Sequence, residues 1–220
     1  MIRKSFHHET LEVRRRELID ATLDCIAERG LRGTTVRHIA ERAGVTGGLI
    51  RHYFASKDML MQAAYADLMG RMTVNASDAA LAGETPRARL CHYIRANFAG
   101  EVLDARLLSL WATFIGQIRI DPALAAIHRD GYLQFRDALE TLIAEFQNER
   151  AGGGDVSEIR RQAIAINALI DGLWLEGCMA SDLFHPGELA DVALSGAEQI
   201  LGTTLRDSAD PFIPTQTRDS

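Results

Sequence analysis

Two groups of side chains in this sequence have the types and spacing to do chemistry. The first lies between residues 35 and 57 and holds Thr35, Arg37, Thr46, Gly47, Gly48, Arg51, His52, Tyr53 and Lys57. Hydroxyls, guanidinium groups and an ammonium suit one task well, the recognition of phosphate oxygens and base edges. The second group is aromatic. Trp111, Phe114 and Trp174 fall on helices able to line one cavity, as do Phe98, Tyr132 and Phe135, and Asp171 sits one helical turn before Trp174. Aromatic faces beside a carboxylate attract a quaternary ammonium ion through cation–π contact. Aromatics at this spacing also describe an ordinary packed core, and Asp171 equally suits a hydrogen bond to a neighbouring helix or a second subunit. Catalysis has little support: there is no Ser/His/Asp set, no metal-ligand spacing and no phosphate-cradling loop, so no catalytic or metal residue and no cofactor is assigned.

The elements that must position the first group are short. Residues 35–54 read TVRHIAERAGVTGGLIRHYF. Val36–Ala43 forms one helix, which Gly44 ends by adopting the left-handed conformation. The Thr46 hydroxyl caps a second, Gly47–Tyr53. Ile39, Ala43, Val45, Leu49 and Ile50 are spaced to meet between them, and small Ala40 permits a close crossing. This is a helix-turn-helix, whose second helix enters the DNA major groove. Ser56 then caps a long fourth helix with Lys57 in its first turn. A cation is unfavourable at that end of the helix dipole, so a phosphate clamp is the better account of Lys57.

Around this unit the chain reads as all-α, with about nine helices and no strand-like alternation. The expected division is a DNA-binding domain over 1–57, with a disordered arm at 1–10, then a helical regulatory and dimerisation domain over 58–203 and a disordered tail over 204–220. The first helix is expected over 11–29, and the last two, with apolar stripes and small residues, over 156–181 and 186–201. The formal charge of −6 hides an asymmetry. Residues 1–60 carry 11 Lys and Arg against 8 Asp and Glu, and the remainder carries 13 against 22. A basic end on an acidic body confines DNA to one face. The run Arg14-Arg15-Arg16 lies beside that end. Three cysteines without C-x-x-C spacing read as free thiols in a reducing compartment. With no signal-peptide core and no apolar run near the roughly 18 residues that span a bilayer, a cytoplasmic location and no membrane partner are expected.

The run GVTGGLIRHYFASKDML resembles the recognition helix and following turn of the TetR family of bacterial repressors, with Gly44-Val45-Thr46, Tyr53-Phe54 and Lys57 in the matching positions. AERGLRGTTVRHIAERAGV resembles the helices before it. The resemblance implies a homodimer, joined through the last two helices, that binds a palindromic operator in double-stranded DNA and is released by a small-molecule effector. A narrower resemblance lies in INALIDGLWLEGCM, from Ile166, and LLSLWATFIGQIRIDPAL, from Leu107, which are similar to the BetI-type branch. That branch implies choline or a related quaternary amine as effector, and the aromatic and carboxylate chemistry read above makes Trp111, Phe114, Tyr132, Asp171 and Trp174 its candidate ligand-binding residues. Glu176 departs from the pattern, which has a basic residue there. Control of an efflux or catabolic operon by another ligand, or a ligand-free DNA-binding protein, are the competing expectations.

Overall fold

The computed structural model describes residues 2–99 and 105–206, and among these every regular element is helical. The order is α1 (Ile2–Gly33), α2 (Val36–Ala43), α3 (Gly47–Tyr53), α4 (Lys57–Leu81), α5 (Pro86–Ala96), α6 (Ala105–Ile115), α7 (Pro122–Ala151), α8 (Val156–Met179) and α9 (Glu188–Leu201), with a 3-10 turn at Ser181–Leu183. Helices α1 to α3 form the head. In the body, α4 packs on α5 and α7, α7 on α8, and α8 on α9, while α1 reaches back to touch α4 and α6. No helix of the described residues is long and apolar enough to cross a membrane.

Local chemistry sets the boundaries. Thr35, Thr46, Ser56 and Thr85 each stand in extended backbone, and each side chain accepts an amide of the helix that follows. Asp121 does the same for α7, accepting from Ala123 and Leu124 with Pro122 in the first turn. Gly44 turns α2 into α3 at φ 64°, and the Val45 amide returns to the Ala40 carbonyl at 3.0 Å. An L side chain in this left-handed region costs roughly 1–2 kcal/mol. Gly44→Ala should therefore lower the thermal unfolding midpoint by several degrees, read by circular dichroism, and an unchanged midpoint would contradict this account of the turn.

Several boundaries differ from the sequence reading, among them the end of α8, which falls at Met179 and not at 181. The backbone is helical from Ile2, where a disordered arm over 1–10 is expected, because nothing between Ile2 and Arg29 is glycine or proline and nothing stops the helix. Gly30, at φ 67° and ψ 172°, breaks it before Gly33. Helix α9 starts after Gly187, whose φ of 87° lies outside the helical region, and not at residue 186. The tail, expected to be disordered from 204, is held at its start. Leu205 is buried, the Leu205 and Arg206 amides donate to Glu198 Oε1 at 2.7 and 3.1 Å, and Arg87 Nε donates to the Leu205 carbonyl at 3.1 Å. The rest of that expectation, over 207–220, lies outside the described residues.

Candidate DNA interface and ligand cavity

The head is built so that its apolar residues close on each other and its polar ones stay outside. Ile39, Ala40 and Ile50 are buried between α1, α2 and α3, while Thr35, Arg37, Thr46, Gly48, Arg51 and His52 are exposed. Gly47, Tyr53 and Lys57 are half-buried. Thr35 and Thr46 accept the His38 and Leu49 amides, each at 3.3 Å. Their lone pairs are thus used inside the fold, and their hydroxyl protons are left to donate outward. Arg37 lies 3.8 Å from Glu41, both largely in solvent, a pair weak enough to open when a phosphate competes. The Tyr53 ring meets the His52 ring edge-on at 5.5 Å. A Cβ built on Gly47 would sit 3.8 Å from Val36, and one on Gly48 3.7 Å from the Thr46 hydroxyl. Packing within the chain does not require either glycine. The arginine run is less free than its sequence suggests: Arg14 pairs with Glu17 at 2.6 Å and Arg15 lies over the Phe54 ring at 4.6 Å.

The body encloses a narrow cavity of about 20 Å³, room for little more than a water molecule. Helix α4 supplies Met69, Met72 and Thr73, α6 Trp111, α7 His128, Gly131, Tyr132 and Phe135, and α8 Asn167, Asp171 and Trp174. Trp111 and Trp174 meet edge-to-face at 5.6 Å, and Phe135 meets Trp174 at 6.3 Å. Trp174 is fixed by its indole N–H, which donates to the Asn97 carbonyl at 2.8 Å. Asn167 donates to Asp171 Oδ2 at 3.1 Å. Burial nonetheless pushes the Asp171 carboxyl up to about 6, the Asn167 hydrogen bond opposing it. Burial also holds His128 below its ordinary value, so its ring is neutral near pH 7. Four of the sequence-derived ligand residues, Trp111, Tyr132, Asp171 and Trp174, line this space. Phe114 does not: it is fully buried and stacked on Tyr65 at 4.5 Å, one layer behind the wall. Glu176 is exposed and outside the cavity. Sequence reasoning missed Thr73, His128 and Asn167, although Asn167–Asp171 and His128–Tyr132 both stand at i,i+4, the spacing that puts them on one helix face.

Residues 18–64 match the model for bacterial regulatory proteins of the tetR family, and residues 86–202 match that for the C-terminal part of BetI-type transcriptional repressors. The HTH-type transcriptional regulator BetI of Burkholderia thailandensis is 36% identical over 174 residues, 79% of this chain and 86% of its own length. The chain belongs to the TetR family. It is a transcriptional regulator. Among solved structures, a transcriptional regulator of Pseudomonas aeruginosa PAO1 superposes with a TM-score of 0.79 at 31% identity, covering 87% of this chain and 91% of that one. A regulator from Saccharomonospora viridis in complex with choline superposes at 0.66 with 19% identity, covering 86% and 95%. The second likeness shows the fold alone.

In this TetR-family regulator the head and the cavity are joined by charge. Arg71 on α4 pairs with Asp67 at 2.6 Å and with Asp20 on α1. Arg106 on α6 pairs with Asp24 on α1, and Asp24 also faces Arg42 of α2 at 3.6 Å. Arg42 in turn binds Glu28 and holds that carboxyl below the usual range. Each pair is half in solvent and contributes little stability. Their value is positional, since α4 and α6 carry cavity residues and α1 carries the reading unit.

Proposed function

We propose that this protein is a cytoplasmic repressor, a homodimer that occupies a palindromic operator through α3 and leaves it when choline or a closely related quaternary amine enters the cavity. The observation that carries the ligand class is the cavity wall itself: Trp111, Trp174 and Tyr132 with the Asp171 carboxylate among them. Such a wall offers cation–π contact on its faces and a counter-charge at one point. The cavity is small, about 20 Å³, so its wall must widen for any ligand, and least for a small amine as against a bulky drug or an acyl chain. The choline held by the Saccharomonospora viridis neighbour supports the same reading.

The DNA side divides by chemistry. Arg51 reads a base edge, guanine by preference, because its fork matches O6 and N7. His52 stands beside it. Arg37 and Thr46 supply further base or groove contacts, Thr35 stands on the same outward face, and Tyr53 and Lys57 hold phosphates. Gly47 and Gly48, which packing leaves unexplained, let the backbone of α3 approach the groove. One short helix reads too few bases for useful specificity, so two copies must present their reading helices about 34–36 Å apart. The second copy docks on α8 and α9, where Ile164, Leu175 and Val192 remain over a third exposed and Ala165, Ala168 and Gly172 leave room for close contact. Residues 1–57 then act as the reading domain and 58–203 as the sensing and dimerisation domain. Ligand prefers a state with another head spacing and weakens DNA binding by that preference alone.

Fluorescence anisotropy on the DNA upstream of the protein's own gene, at fixed salt, tests the whole reading. Binding that millimolar or lower choline weakens is the expected result. Binding that choline leaves unchanged would keep the regulator and remove choline as its direct effector.

A further inference from the structure

Tyr65 and His128 are not used by the reading above, and they stand at the cavity. Tyr65 is fully buried on α4, and its phenol oxygen lies 2.7 Å from His128 Nδ1 on α7. Tyr65 is stacked on Phe114 at 4.5 Å, and the His128 ring runs parallel to Tyr65 on one side and near Tyr132 on the other. The phenol has one proton, and among the described residues Nδ1 is the only hydrogen-bond partner of that group. Placing the proton anywhere else would bury it unpaired, so Tyr65 donates and Nδ1 accepts. A neutral imidazole that accepts at Nδ1 must carry its own proton at Nε2, on the ring edge away from Tyr65. Among the described residues Nε2 has no protein partner, while His128 lines the same space as Asp171.

We propose that His128, oriented by Tyr65, is the group that recognises the oxygen of the ligand, so that the site selects a quaternary amino alcohol over the same ammonium without its hydroxyl. This deepens the ligand reading above and rests on it. Asp171 and the tryptophans hold the cationic end, and the Nε2–H donates to the hydroxyl oxygen at the other end. Tyr65 does not touch the ligand; it is a positioning residue that fixes which nitrogen carries the proton.

The test compares choline with ethyltrimethylammonium, which keeps the carbon and nitrogen skeleton and lacks only the oxygen, by titration calorimetry on the full chain. The native protein should prefer choline by on the order of tenfold, the usual worth of one well-made hydrogen bond. His128→Leu should bring the ratio close to one. His128→Gln, whose side-chain amide reaches the position of Nε2, should keep much of the preference, and Tyr65→Phe should reduce it. Nitrogen-15 NMR of the histidine rings in the free protein, with His128 assigned by comparison with the Gln variant, should show protonation at Nε2. Protonation at Nδ1 would overturn the proposal whatever the ligand does. Equal affinity of the native protein for both ions would also overturn it and leave the cation site standing. Binding of neither ion would remove the cation site, and this inference with it.

Discussion

Arg51→Ala should erase most of the difference between operator and random DNA. A bidentate contact to guanine supplies about 1–3 kcal/mol of discrimination, so operator affinity should fall roughly 10- to 100-fold for each half-site lost. Affinity for random DNA should fall only a few-fold, because phosphates supply that binding. The expectation is strong at this site because Gly47 and Gly48 offer no side chains to share the reading. Lys57→Ala is the matched contrast. It should weaken every sequence alike and flatten the dependence of binding on salt by about one counterion per subunit. Both variants are to be titrated against operator and scrambled duplexes over a salt series. Equal losses on the two duplexes for Arg51→Ala would end this division of roles.

The second large effect is expected at Asp171. A unit charge about 5 Å from the ammonium, at an effective dielectric near 20, contributes about 3 kcal/mol, so Asp171→Asn should weaken choline on the order of 100-fold. The pH dependence follows from the raised carboxyl. Burial pushes Asp171 from 3.8 up to about 6, so the folded free protein binds a proton that the unfolded chain releases in that window. The free protein accordingly loses stability as pH rises from about 4 to about 6. Choline runs the other way: it needs the carboxylate, so its affinity should climb through pH 6 and level off above it. Protonation of His128, which burial holds below 6.5, acts in the same direction, and Asp171→Asn separates the two. In that variant the rise near pH 6 should disappear, leaving only a weaker drop at lower pH. Calorimetry at several pH values gives the answer. An unaltered profile in Asp171→Asn would assign the titration elsewhere.

Much of the head was legible because its determinants are local. A cap such as Thr46 acts on an amide three residues away, and Gly44 turns the chain by its own φ. Neither depends on what packs from a distance, so α2 and α3 keep the bounds their residues imply. Where a boundary depended on a remote partner, local reading fell short. Nothing in residues 204–206 announces that Glu198 and Arg87 will hold them.

The cavity divides along the same line. Spacing along α8 was enough to put Asp171 and Trp174 on one face, and the aromatic types were enough to suggest a cation. Which aromatics form the wall was a matter of how four helices cross. Phe114 and Trp111 lie on the same helix and the same stripe, yet one stacks behind Tyr65 and the other faces the open space. The contact between Tyr65 and His128 spans 63 positions in the chain, and no periodicity on either helix predicts it. Helix periodicity states which residues share a face. Only the packing of α4 against α7 decides which faces meet, because side-chain volume and hydrogen-bond satisfaction are settled between helices and not within them.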